Sequence, residues 1–302
     1  MIEKKLLSIC IPTFNRVEFL QYNLKSITDQ FDKEPSLKDL VEIVISDNAS
    51  SDGTKEMVAS FLETYNNITY VRNTTNIGFD RNVNNAVHLA NGTYCLTLGD
   101  DDALFPNSLS VLTKKILNTN VPYYLVGHVG YSRDMQHANA HEHVSEDCSY
   151  DSLEDYVRSL EGYVNVIGIF GGMSTHVFLR NIWVSYSELD KYIDTLQIHT
   201  HVFLRAFKHK KVMVFHDAIV KTRGDNMRWE DIVGLETTHR RNIRAFRDFM
   251  WIKHLYELTQ SKFGAFVYFM GRGYWIVLKG LVKKILFFIK CDKLFYKLKQ
   301  II

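Results

Sequence analysis

What most restricts the fold of this chain is a unit repeated through its first hundred residues: an apolar run, a polar loop, then apolar residues at helical spacing. Leu6 to Ile11 is followed by Pro12-Thr13-Phe14-Asn15-Arg16, then by Val17, Leu20, Leu24, Ile27 and Phe31. Val41 to Ser46 is followed by Asp47-Asn48-Ala49-Ser50-Ser51-Asp52-Gly53-Thr54, then by Met57, Val58, Phe61 and Leu62. Ile68 to Val71 leads through Asn76-Ile77-Gly78-Phe79-Asp80-Arg81-Asn82 to Val83, Ala86, Val87 and Ala90. Continuous short apolar runs read as strands buried on both faces, and the 3.6-residue spacing reads as amphipathic helix. Their alternation predicts an α/β fold with a mostly parallel central sheet. In such a sheet ligands sit beyond the carboxyl ends of the strands, which is where every one of these polar loops falls.

The fourth apolar run, Tyr94 to Leu98, stops at Gly99 and delivers Asp100, Asp101 and Asp102 side by side. Neighbouring carboxylates repel by about 1 kcal/mol per pair at 4 Å in water, and by more where water is scarce. A hard divalent cation, Mg2+ or Mn2+, is the natural offset. The glycine fingerprint of the dinucleotide fold is missing after the first strand, as is the phosphate loop with its Lys and Ser/Thr. Dehydrogenase and P-loop readings therefore lose their support. A sugar-phosphate nucleotidyltransferase would need a Gly-rich, Arg-containing loop where Pro12 to Arg16 stands.

These pieces together resemble the family 2 glycosyltransferases of the GT-A fold. The match is carried, in order and at family spacing, by Ser8 to Arg16, Val44 to Thr54, Asn76 to Asn82, and Leu98-Gly99-Asp100-Asp101-Asp102 with Pro106. The resemblance implies a GT-A catalytic domain over residues 1–230, with a nucleotide-sugar half at 1–110 and an acceptor-side half at 111–230. It implies inverting transfer of a sugar from a nucleoside diphosphate donor, a UDP-sugar favoured and thymidine next, to an acceptor hydroxyl. Thr13 and its neighbours Pro12, Asn15 and Arg16 are expected to hold the nucleotide, Asp47 to accept from the base edge, and Asp100 to lie near the ribose. Asp101 and Asp102 are expected on the metal, their order open because Gly99 stands where the family commonly has its first Asp. Asn76 and Arg81 are expected to face the donor, and Arg81, Arg223 and Arg228 are candidates for its pyrophosphate.

The reaction also needs a base for the attacking hydroxyl. In many relatives it is the Asp of a Glu-Asp pair opening a helix in the second half. Alignment on Leu204-Arg205-Ala206 puts Ile198 and His199 there, so His199 inherits the position, with Asp194 as the other candidate. The missing pair keeps a second reading open, a membrane-tethered nucleotide-sugar binding or scaffold protein without turnover. The uncharged run Gly162 to Leu179 reads as the acceptor-side loop and strand, and Val212 to Phe215 as a further buried strand.

The net charge of +2 hides an asymmetry. From Ser261 onward Lys262, Arg272, Lys279, Lys283, Lys284, Lys290, Lys293, Lys297 and Lys299 stand against Asp292 alone, interleaved with aromatic residues. Residues 231–302 therefore read as a C-terminal helical segment, lying on an anionic membrane surface or packing on the catalytic domain or a second subunit. Its uncharged pieces fall far short of the ~20 residues of a spanning helix. Cys10, Cys95, Cys148 and Cys291 are scattered and the N-terminus carries no signal-peptide pattern. The expected setting is cytoplasmic, peripheral on the inner face of the membrane, with a saccharide or lipid-linked saccharide as acceptor. Nucleic-acid motifs are absent.

Overall fold

A computed structural model describes residues 4–141, 145–160 and 168–224. The chain divides after Gly234, and the described residues all belong to the first unit. The expected C-terminal helices, their membrane or subunit contacts, and Arg228 lie outside the described residues.

The opening units form as their periodicity dictates: β1 (Leu7–Thr13), α1 (Val17–Lys33), a single turn α2 (Leu37–Leu40), β2 (Val41–Asp47), α3 (Thr54–Leu62), β3 (Ile68–Arg72), α4 (Phe79–Leu89) and β4 (Tyr94–Thr97). After the acidic cluster come β5 (Ala103–Leu104), α5 (Ser108–Thr119), β6 (Tyr123–Tyr131), β7 (Ala138–His141), β8 (Cys148–Tyr150) and α6 (Leu153–Ser159). The described part closes with β9 (His176–Leu179), α7 (Arg180–Val184), a 3-10 turn (Leu189–Tyr192), α8 (Ile198–Ala206) and β10 (Val212–Arg223).

The strands form one curled sheet in the order β3-β2-β1-β4-β9-β6-β10-β5, with β7 on β6 and β8 on β10. From β3 to β4 it is parallel. Beyond β4 it is mixed: β9 runs antiparallel to both β4 and β6, and β10 is parallel to β6. Every residue of β1 and β2 is buried, which is why both are predominantly apolar on both faces, with Ser8 and Glu42 buried against each other. Leu7, Ile9 and Ile11 join Leu20, Leu24, Ile27 and Phe31 of α1 and Leu109 and Leu112 of α5 in one core. The alternate residues face the other side, where the Ser46 hydroxyl donates to Asn82 of α4 at 2.7 Å. An aromatic layer of Phe178, Trp183, Phe203 and Phe207 extends beyond β4, with Phe178 centroids 5.1 Å from Trp183 and 5.2 Å from Phe203. No helix among the described residues is long and apolar enough to cross a membrane.

Candidate active site

The four polar loops converge on one rim and are stitched together there. Asn48 N donates to Thr13 O at 2.9 Å, Asn15 N to Ser50 Oγ at 2.8 Å, and Val17 N to Asp52 Oδ2 at 2.9 Å, which ties the first loop to the second. Asn48 then donates to Asn76 Oδ1 at 2.7 Å and accepts from Ile77 N at 2.8 Å, which ties the second to the third. Short polar side chains at strand ends serve this purpose because they bond to nearby backbone without needing a helix or sheet. Asn15 sits at φ 51°, a left-handed conformation that asparagine tolerates.

The acidic cluster turns inward, toward the first loop. Thr13 Oγ1 donates to Asp100 Oδ2 at 2.7 Å, and Arg16 Nη1 donates to Asp100 Oδ1 at 2.9 Å and to Asp101 Oδ2 at 3.1 Å. Asp102 Oδ2 accepts from the Ser174 hydroxyl, and its Oδ1 accepts from Arg223 N at 2.8 Å. Asp100 and Asp102 are buried, whereas 19% of the Asp101 side chain is exposed. Burial pushes Asp100 up to about 6 despite Arg16, while burial and then the Asp101 charge push Asp102 up to about 8. Burial works against the Arg16 charge, but Asp100 and Asp101 outweigh it and raise its pKa.

All three carboxylates line a cavity of about 380 Å³ with Pro12, Thr13, Arg16, Asn76, His199 and Arg223. Phe79, Ile169, Met173 and Leu196 add apolar surface to the same lining. Among the described residues no three His, Cys, Asp or Glu side chains form a ready-made metal cage. Mg2+ or Mn2+ held through substrate phosphates needs only one or two carboxylates from the protein, and Asp101 fits that need by its place and exposure. Asp102 suits it less, since both its oxygens already serve the fold.

His199 is buried in the first turn of α8, with Nε2 3.2 Å from Gly171 O, so Nε2 carries the proton. Its Nδ1 has no hydrogen-bond partner among the described residues. Burial lowers its pKa to about 4. His201 points elsewhere, stacked on Tyr192 with centroids 4.4 Å apart. Asp194 and Arg81 pair with each other at 2.8 Å, and neither is among the cavity-lining residues. The Asp194 side chain is 70% exposed. Asp47 is wholly buried behind the rim, accepting from Ser50 N at 2.9 Å and Tyr70 OH at 2.6 Å. Asn15 also stays off the cavity, bracing the second loop by accepting from Ser51 N at 2.8 Å.

Sequence reasoning missed Ser174, which ties the segment before β9 to the acidic loop at two points. Its hydroxyl accepts from Gly99 N at 2.8 Å and donates to Asp102. A lone serine in a glycine-rich run carries no signal of that. The same packing explains Gly99: a Cβ there would meet Asp101 Oδ1 at 2.8 Å and Asp102 Oδ2 at 3.1 Å. Gly99→Ala is thus expected to shift both carboxylates and lower activity about tenfold, with a smaller change in the thermal midpoint. Steady-state kinetics beside a melting curve checks this; unchanged kcat means that the two carboxylates need no fixed place.

The family described as Glycosyl transferase family 2 matches residues 8–178. The abequosyltransferase RfbV of Salmonella typhimurium is 34% identical over 234 residues, 74% of this chain and 68% of the relative. A GalNAc(5)-diNAcBac-PP-undecaprenol beta-1,3-glucosyltransferase of Campylobacter jejuni is 39% identical over 110 residues, 36% of this chain and 34% of the relative. Among solved structures, S. aureus TarS 1-349 in complex with UDP-GlcNAc superposes with a TM-score of 0.59 at 16% identity, covering 84% of this chain and 71% of that one, a likeness of fold. With the motifs at the rim, the inward-turned acidic cluster and these similarities together, the chain belongs to glycosyl transferase family 2 and is a glycosyltransferase of the GT-A fold.

Proposed function

We propose that the chain performs inverting transfer of a sugar from a nucleoside diphosphate donor, a UDP-sugar by preference, to a hydroxyl of a lipid-linked or polysaccharide acceptor. The observation that carries the reading is the bonding of Asp100 and Asp101 to Thr13 and Arg16, which brings the first and fourth loops to one cavity. The relatives' names support the class, since one is a glucosyltransferase named for an undecaprenol-linked substrate and the TarS structure holds UDP-GlcNAc. Residues 1–110 would form the donor half and 111–230 the acceptor half.

In this reading Thr13, Arg16 and Asn76 hold the donor, with Arg223 reaching its pyrophosphate from β10. Asp101 is the residue that would hold Mn2+ or Mg2+, and Asp102 fixes the turn beneath it. A divalent cation, when bound, supplies Lewis-acid stabilisation of charge on the leaving phosphate. His199 is the base in this reading: its neutral ring lines the cavity and is anchored through Nε2, and its Nδ1, unpartnered but buried, would take the proton of the attacking hydroxyl once the acceptor reaches it. The basic and aromatic C-terminal stretch favours attachment to an anionic inner membrane face, where a lipid-linked acceptor is presented, and offers a surface for self-association.

The test is slow donor hydrolysis. Incubated with Mn2+ and a panel of UDP- and dTDP-sugars without acceptor, the protein is expected to release nucleoside diphosphate from one of them. Binding of a donor without release, across sugars and acceptors, would instead favour a nucleotide-sugar scaffold.

A further inference from the structure

One buried carboxylate is unused by this chemistry. Asp80, in the first turn of α4, is 1% exposed. Its Oδ2 accepts from Leu196 N at 2.7 Å and its Oδ1 from Ile198 N at 3.1 Å. The first N–H groups of a helix have no partner within it, and the N-terminus carries partial positive charge. Gln197, at the N-cap of α8, gives no side-chain capping bond. The cap comes instead from another helix, 118 positions earlier in the chain.

The segment so held would not keep its shape alone. Asp194 and Leu196 sit at φ 66° and 65°, the left-handed region that costs a side-chain-bearing residue about 1 kcal/mol or more. Leu196, Gln197 and His199 all line the cavity. The neighbours of Asp80 act on the same segment: Arg81 pairs with Asp194 at 2.8 Å, and the Phe79 ring meets that of His199 at 83° with centroids 6.4 Å apart.

We propose that Asp80 is a positioning residue of the transferase, its carboxylate clamping the Leu196 and Ile198 backbone so that His199 enters the cavity wall in one orientation. The proposal rests on His199 acting at this site. It also makes the first turn of α4 a shared support, since the loop entering that helix carries Asn76 to the donor side of the same cavity. The charged group acting on Asp80 is Asp194, itself paired with Arg81, and the imidazoles that interact with His199 are the buried His176 and His201, both kept neutral by burial.

Asp80→Asn keeps the shape but turns one acceptor toward its backbone N–H partners into a donor. The expected result is a fall in kcat of about 10- to 100-fold, with donor KM held within about threefold. Nitrogen-15 NMR of the imidazoles is expected to show His199 leaving its fixed Nε2–H tautomer and titrating closer to an ordinary histidine. Val87→Ala, buried at the far end of the same helix, is the control: it should lower stability and leave kcat and the His199 signals unchanged. If the Asp80→Asn protein matches Val87→Ala in both readouts, Asp80 is merely structural and the proposal falls. If the Asn variant does not fold, Asp80→Ser, which retains an acceptor oxygen, is judged by the same NMR criterion. Should the transferase reading itself fail, the His199 tautomer still decides, because it needs no turnover.

Discussion

Asp101→Asn is expected to slow sugar transfer by about 1000-fold while moving the thermal midpoint only slightly. If Asp101 holds a divalent cation against the donor's phosphates, as proposed, its loss weakens that hold and removes several kcal/mol of leaving-group stabilisation, each 1.36 kcal/mol being about tenfold in rate. The fold loses little, because Arg16 keeps its 2.9 Å bond to Asp100. The lost bond to Arg16 is offset in part, because Asp101 also repels Asp100 and Asp102 and its neutral replacement relieves that repulsion. Single-turnover kinetics at saturating donor, beside isothermal titration of Mn2+ with nucleoside diphosphate, separates the two effects. A variant within tenfold of wild type would take Asp101 out of the donor-phosphate role.

The second large effect is at His199. Gln in its place keeps an N–H for Gly171 O, so the wall of the cavity should survive, but an amide takes no proton. The expected loss in kcat is about 100- to 10,000-fold, the usual contribution of general-base catalysis, with donor affinity retained. The pH profile gives an independent check. Because burial sets the His199 pKa at about 4, below the ordinary value near 6.5, the ring stays neutral as pH falls through 6 and becomes protonated only below about 4. Activity assigned to this base should therefore persist at pH 5, where an exposed histidine would already be charged. A limb near pH 6.5 that disappears in His199→Gln would keep His199 as the base but overturn its burial-lowered pKa, whereas an unchanged kcat in His199→Gln would remove it as the base.

The first half of this site was legible because it is built from local patterns. Apolar runs gave β1, β2 and β4, and the cap and turn residues after them gave the loops that meet at the rim. The second half depends on closure between distant segments. β9 is four residues long, follows a glycine-rich run, and inserts between β4 and β6, antiparallel to both. Only Val212 to Phe215 of β10 reads as a strand, because His216 and Asp217 interrupt its apolar pattern, yet it continues through irregularities to Arg223. Asp47, which the family resemblance sets at the base edge, is held by contacts no local pattern announces: Tyr70 and Ser50, brought in by β3 and the turn, each donate to one of its oxygens. Ser174 and Asp80 act across 72 and 118 positions, distances at which no local pattern speaks.

Arg16 bears on how the protein waits between turnovers. With a guanidinium spanning two of the three acids, and hydroxyl and amide donors on the rest, the polypeptide itself offsets part of the charge crowded at the tip of β4. The cleft is thus partly laid out by the chain's own donors, and a nucleoside diphosphate held there as proposed would exchange partners with side chains already in place.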